Sequence, residues 1–169
     1  LIPPPELNLR GIPIDRVYGC NYGFDYKPPI HFLQVATYAK EVLNWTIRFM
    51  DCPAEGITLE EWLKFDDWDY DVICLWSTYL SAIEDTRAAR HIIKQFPDMK
   101  IIFMGTAATW KPEEFQLSEN CFVLLGEMEH TLKDWSEAMQ EGKSLSDIPG
   151  LGHFKNAQFE RGPFRNLLD

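Results

Sequence analysis

Hydrophobic and polar positions along this chain follow two rhythms, short continuous apolar runs and apolar stripes at three-to-four spacing. Phe32, Val35, Ala36, Ala39 and Leu43 form a helical stripe. Pro28 and Pro29 open it, since proline is tolerated in a first turn, and Asn44 ends it. Residues 46–50 predict a strand, stopped by Asp51 and Pro53. Thr58 and Glu61 have the spacing of a capping box and predict a helix over 59–65. Asp66, Asp67 and Asp69 break it. The next strand, 70–76, is nearly continuous in apolar residues, as strands covered on both faces are. Ser81 and Glu84 predict a second capping box, with Ala89, Ile92, Ile93 and Phe96 as the buried face of its helix. A strand over 100–104, a short helix from Pro112 to Leu117 and a strand over 121–125 follow. Leu132, Trp135, Ala138 and Met139 then mark a final amphipathic helix ending at Gly142.

Strands alternating with helices imply parallel β-α-β units with right-handed crossovers, hence a three-layer, doubly wound α/β sheet. Leu1 and Ile2 are expected to end a first strand that begins upstream, so the chain reads as a fragment of a longer protein. With that strand the count is five, in the flavodoxin-like or Rossmann-like order 2-1-3-4-5, and the crevice lies between strands 1 and 3. Residues 1–142 are expected to form this domain. Residues 143–169, punctuated by Pro149, Gly150, Gly152, Gly162 and Pro163, are expected to form a hairpin or extended arm leaving it. Residues 3–28 are long, aperiodic and rich in Pro, Gly, Tyr and Asn, a kind of segment that is usually functional.

The special residues sit just past the apolar runs. The apolar run ending at Leu75 leads into Trp76, Ser77, Thr78 and Tyr79, that ending at Met104 into Gly105 and Thr106, and that ending at Leu125 into Gly126 and Glu127. Ligands of open α/β sheets bind outside the carboxyl ends of the strands, so these residues outline one ligand-binding rim.

Bulk composition narrows the ligand. A net charge of −10 argues against a nucleic-acid backbone or an anionic membrane as the main partner. No apolar run approaches the ~20 residues of a bilayer span. Six Trp and eleven Phe supply a core or pocket generously. Cys20, Cys52, Cys74 and Cys121 are widely spaced with no C-x-x-C pair. That spacing suggests neither a zinc nor an iron–sulfur site within the chain, and a reducing, cytoplasmic compartment. Dinucleotides and nucleoside triphosphates want glycine-rich phosphate loops, and the first loop offers prolines instead. A receiver domain would want an Asp where Trp76, Ser77 and Thr78 stand. There is no G-x-S-x-G elbow. His31, His91, His130 and His153 stand singly; His31 and His130 lie near helix starts, within reach of the rim.

The remaining motifs resemble a known domain. Pro28 and Pro29 leading into Leu33 and Tyr38 resemble its "P-P-x-x-L-x-x-L-A-x-Y-L-R-E" opening. Asp71 to Thr78 resembles its "D-V-V-G-I-S" strand, and Gly105 to Thr109 with Pro112 and Glu113 its "G-G-x-H-A-T-x-x-P-E" turn. Gly126 to Thr131 resembles "G-E-G-E-x-T", and Ile148 to Leu151 resembles "I-P-G-L". Together these look like the cobalamin-binding domain that precedes the catalytic barrel of radical S-adenosylmethionine enzymes. Three positions depart from that pattern: Thr106 and Ala108 stand for its second Gly and its His, and Met128 for the second Gly of "G-E-G-E".

The resemblance implies that cobalamin is held by Pro4 and Pro5 in the first loop, by Trp76, Ser77, Thr78 and Tyr79, by Gly105, Thr106 and Ala107, and by Gly126, Glu127 and Glu129. Small residues would let backbone amides approach the amide-fringed corrin. Glu127 and Glu129 suit this or plain helix capping, and Trp76 suits a corrin face or the plain core. No D-x-H-x-x-G signature is present, so no protein histidine would sit under cobalt. The chain itself is expected to carry no catalytic residue and no metal ligand. The [4Fe-4S] cysteines, the S-adenosylmethionine site and the radical barrel are expected beyond Asp169, with methyl transfer to an unactivated centre as the parent's reaction. Two alternatives stay open: a cobalamin-like domain that has become a scaffold, and a flavodoxin-like binder of another cofactor.

Overall fold

The computed structural model describes residues 28–65, 68–79, 81–156 and 158–165. Helix α1 (Ile30–Glu41) starts behind Pro29 and buries Phe32, Val35 and Ala39, the predicted stripe. A short helix, α2 (Cys52–Glu55), is capped by the Asp51 carboxylate, and α3 (Leu59–Leu63) by the full Thr58–Glu61 capping box. Strand β1 (Val72–Trp76) leads to α4 (Ala82–Gln95), and β2 (Lys100–Met104) to α5 (Thr106–Trp110) and a 3-10 turn, Pro112–Phe115. Strand β3 (Cys121–Leu124) is followed by α6 (Met128–Glu141), which ends on a left-handed Gly142. Strands β4 (Leu151–Lys155) and β5 (Gln158–Arg161) close the described chain.

The five strands form one mixed sheet in sequence order. β1, β2 and β3 are parallel, with Trp76 level with Met104 and Phe103 with Val123. β4 adds antiparallel to β3, and β5 antiparallel to β4. Side chains alternate between two cores, giving the expected three layers. Ile73, Leu75, Ile101, Phe103, Cys121 and Val123 pack on the α4 and α5 side with Ala89 and Ile92. Trp76, Ile102, Met104, Phe122 and Leu124 pack on the other, against Phe32 and Val35 of α1 and Leu132 and Trp135 of α6.

Four expectations need correction. The order 2-1-3-4-5 is present in its 3-4-5 half, as β1-β2-β3; predicted strand 1 lies outside the described residues, and 46–50 is not a strand. That segment is extended, and Trp45, Ile47 and Phe49 rest on the second core, but alternation without a ladder of hydrogen bonds makes no strand. The expected C-terminal hairpin does form, and it pairs along β3 instead of leaving the sheet. All four β3 residues are buried, and the hairpin supplies their missing edge. Ser81 is not a capping-box residue: its hydroxyl turns to Thr78 and Asp85. Finally, α5 occupies a stretch where the apolar periodicity predicts no helix, and the helix expected to Leu117 is the 3-10 turn.

Candidate functional site at the strand ends

Because β1, β2 and β3 are parallel and in near-level register, their carboxyl ends form one rim carrying Trp76 to Tyr79, Gly105 to Ala107, and Gly126. The rim is built around a close backbone contact. Ser77 N–H donates to the Met104 carbonyl at 2.8 Å, extending the β1–β2 ladder by one residue, and Ala107 N–H donates to the Ser77 carbonyl at 3.3 Å. Between these bonds Gly105 has φ +101°, and a Cβ there would lie 2.4 Å from the Ser77 carbonyl oxygen. Only glycine suits that combination of left-handed φ and contact. At the end of β3, Gly126 has φ +77° and faces open space, with nothing within 4 Å of where a Cβ would stand. One glycine thus closes the gap between two strand ends, and the other leaves bare backbone exposed on the third.

The predicted site residues divide by exposure. Tyr79 is 72% exposed, and Thr106 and Gly126 are open to solvent. Glu127 and Glu129 are half-buried at the start of α6, Glu127 as an N-cap that makes no side-chain capping hydrogen bond and Glu129 as an acidic residue of the first turn. Trp76, Ser77, Thr78, Gly105 and Ala107 are buried. Trp76 packs on Phe32 with ring centroids 5.7 Å apart, and His31 stacks on it at 6.5 Å with 19° between planes. It is therefore a core residue covered at the rim by an imidazole. Pro4 and Pro5 lie outside the described residues, as does the first loop.

Several amides expected to face a ligand are engaged within the protein. Besides Ser77 and Ala107, Thr78 N–H donates to Ser81 Oγ at 3.1 Å. Ser81 Oγ in turn donates to Asp85 Oδ2 at 2.7 Å, and all three side chains are buried. This network pins the 78–81 turn. In contrast, Ser77 Oγ and Trp76 Nε1 are buried without a hydrogen-bond partner among the described residues. Buried polar atoms of this kind call for a reason, and a functional site is one of them.

The structure adds a feature the sequence reading missed. Tyr79, Ala82, Thr106, Ala107, Trp110, Lys111 and Glu114 line a mainly apolar groove of about 200 Å³ beside Gly105. Trp110 is 82% exposed along it. Lys111 Nζ stands 3.0 Å from Glu114 Oε1 at its end, and this contact holds the Lys111 ammonium above its ordinary pKa. The groove is built on α5, a helix that the apolar periodicity does not predict. The histidines divide too: His130 lies 6.0 Å from the Tyr38 ring, His91 packs on Trp62, and buried His153 pairs with Glu160. No cluster of three His, Cys, Asp or Glu side chains able to hold a metal exists among the described residues. No described helix is long and apolar enough to cross a membrane.

No protein-family model matches the chain. It is 27% identical, over 99% of its length, to the uncharacterized methyltransferase PH0819 of Pyrococcus horikoshii, and spans 35% of that protein. Among solved structures it matches OxsB, a cobalamin-dependent S-adenosylmethionine radical enzyme, with aqua-cobalamin and S-adenosylmethionine bound. There the TM-score is 0.66 and the identity 13%, over 81% of this chain and 20% of that one. It also matches the radical S-adenosylmethionine methyltransferase TsrM from Kitasatospora setae, with cobalamin and a [4Fe-4S] cluster bound. That TM-score is 0.62 and the identity 19%, over 88% of this chain and 28% of that one. The chain therefore shares its fold with part of two cobalamin-bound enzymes, and covers about a third or less of each relative.

Proposed function

We propose that this chain is a cobalamin-holding domain of a radical S-adenosylmethionine enzyme, with methyl transfer as the reaction of the whole protein. The observation that carries the reading is the rim itself. Gly105 removes a side chain where β1 and β2 meet, and Gly126 bares backbone at the end of β3, so a flat ligand fringed with amides could lie close to the main chain. Ser77 Oγ, buried beside Gly105 with no hydrogen-bond partner among the described residues, fits the same picture. Tyr79 and Trp110 offer apolar surface next to it. The groove alone falls below the ~300 Å³ of common ligand pockets, so a corrin would extend from it across the open rim. When bound, cobalamin supplies a cobalt centre that carries a one-carbon group. This chain's residues bind and orient: Gly105 and Gly126 set the distance to the backbone, Thr106 and Glu127 offer polar atoms, and Tyr79 excludes water.

A scaffold reading is favoured by one observation, the engagement of the Ser77, Thr78 and Ala107 amides in internal hydrogen bonds. Titration with hydroxocobalamin, followed by gel filtration and a visible spectrum, separates the two. A micromolar Kd, about −8 kcal/mol, with stoichiometric co-elution is expected. Failure of the protein as encoded to retain any cobalamin would leave the scaffold reading.

A further inference from the structure

We propose that Arg165 is a positioning residue for the rim turn at 125–127, tying that turn to the chain that leaves the sheet after β5. The inference rests on the cobalamin reading for its ligand, and on geometry alone for the tie. Arg165 is the last described residue, yet its side chain is only 17% exposed. Its Nε donates to Thr131 Oγ1 at 2.9 Å, and one terminal nitrogen donates to the Pro149 carbonyl at 2.9 Å and to the Asp134 carboxylate. Thr131 carries the tie onward: its hydroxyl lies 3.1 Å from both the Glu127 and the Pro149 carbonyl oxygens and shares its one proton between them. From the other side, Leu125 N–H donates to the Gly150 carbonyl, and Gly150 N–H to the Pro163 carbonyl, both at 2.8 Å. A Cβ on Gly150 would stand 2.7 Å from Thr131 Oγ1 and 3.6 Å from Arg165 Cβ. The outgoing chain, the 148–150 turn and the rim turn are therefore three plies held by one guanidinium. A planar fork spreads its donors over separate nitrogens to meet acceptors on different plies, whereas an ammonium gathers its three donors on one atom.

The tie makes the position of Gly126 and Glu127 depend on residues 163–165, so each end reports on the other. Amide hydrogen exchange across 126–131, measured on the protein as encoded before any cofactor is added, tests it. Arg165→Ala is expected to speed exchange there by tenfold or more, with Arg165→Lys restoring only part of the protection. Phe159→Ala is the control, since it unpacks Phe154 and Gly152 within the hairpin and leaves every Arg165 acceptor in place. Equal exchange in R165A and F159A, or no change in R165A, would overturn the proposal. In the binding arm, R165A is expected to weaken hydroxocobalamin tenfold while F159A does not. If the wild-type protein binds no hydroxocobalamin, the cofactor reading fails, and the exchange result still decides the role of Arg165.

Discussion

At the scale of single residues, the two rim glycines are distinguishable by experiment. Gly105→Ala should destabilise by at least about 2 kcal/mol, because it meets both a left-handed φ and a carbonyl oxygen 2.4 Å away. Gly126→Ala, with the same sign of φ but open space, should cost about 1 kcal/mol. Urea unfolding of the two variants gives the comparison. Ser77→Ala should raise stability by about 1 kcal/mol, since it removes a buried hydroxyl without a partner among the described residues, while weakening cobalamin if that hydroxyl is a ligand contact. A loss of stability instead would show that the hydroxyl is already satisfied. Cys74 adds a pH dependence. Burial pushes its thiol up to about 11. The unfolded thiol ionises near its ordinary value, so between roughly pH 9 and 11 the unfolded state binds fewer protons and stability falls. Wild type should lose about 2 kcal/mol more than Cys74→Ala across that window, read by denaturant melts at pH 8 and 11. Glycine and hydroxyl positions past apolar runs were legible as a rim. Which were buried was not, because burial of Trp76 depends on Phe32 and His31 from a distant helix.

At the scale of elements, local chemistry and tertiary demand divide cleanly at two serine/threonine sites. Thr58 forms its capping box as the spacing predicts, because both partners lie within one turn. Ser81 has the same spacing to Glu84, yet its hydroxyl serves Thr78 and Asp85. The buried Thr78 N–H takes the hydroxyl oxygen as its acceptor while the Asp85 carboxylate takes its proton, and a buried amide left without an acceptor costs more than an exposed helix end. Ser81→Ala should therefore destabilise by about 1–3 kcal/mol and loosen the 78–81 turn, whereas Thr58→Ala should cost about 1 kcal/mol. Thermal melts of both variants, with ligand binding as a second readout, check this. The reverse order of effects would mean that the α4 turn is not held by this network. Segment 46–50 teaches the same lesson for strands: its alternation is real, and it reflects packing on the second core without pairing.

At the scale of the whole molecule, the hairpin β4–β5 is an edge of the sheet and not an appendage. Ending the chain at residue 147 would strip β3, buried along its length, of its antiparallel neighbour. An exposed apolar strand edge recruits other chains, so that truncation should aggregate on gel filtration and lose its cooperative melt. A monomeric, folded product would show the hairpin to be dispensable. The α/β class, the parallel β1-β2-β3 unit, the α1, α4 and α6 faces and the rim past the strand ends are all legible in the order of residues along the chain. These follow from periodicity and punctuation, which neighbouring residues encode locally. Folding in three dimensions adds the rest: the hairpin completes the sheet, α5 and Tyr79 line a groove, rim amides are engaged, and Arg165 bonds the 149–150 turn and α6. Each of these depends on contacts between segments far apart in sequence, and no local pattern records which distant group will satisfy a hydrogen bond or cover an edge.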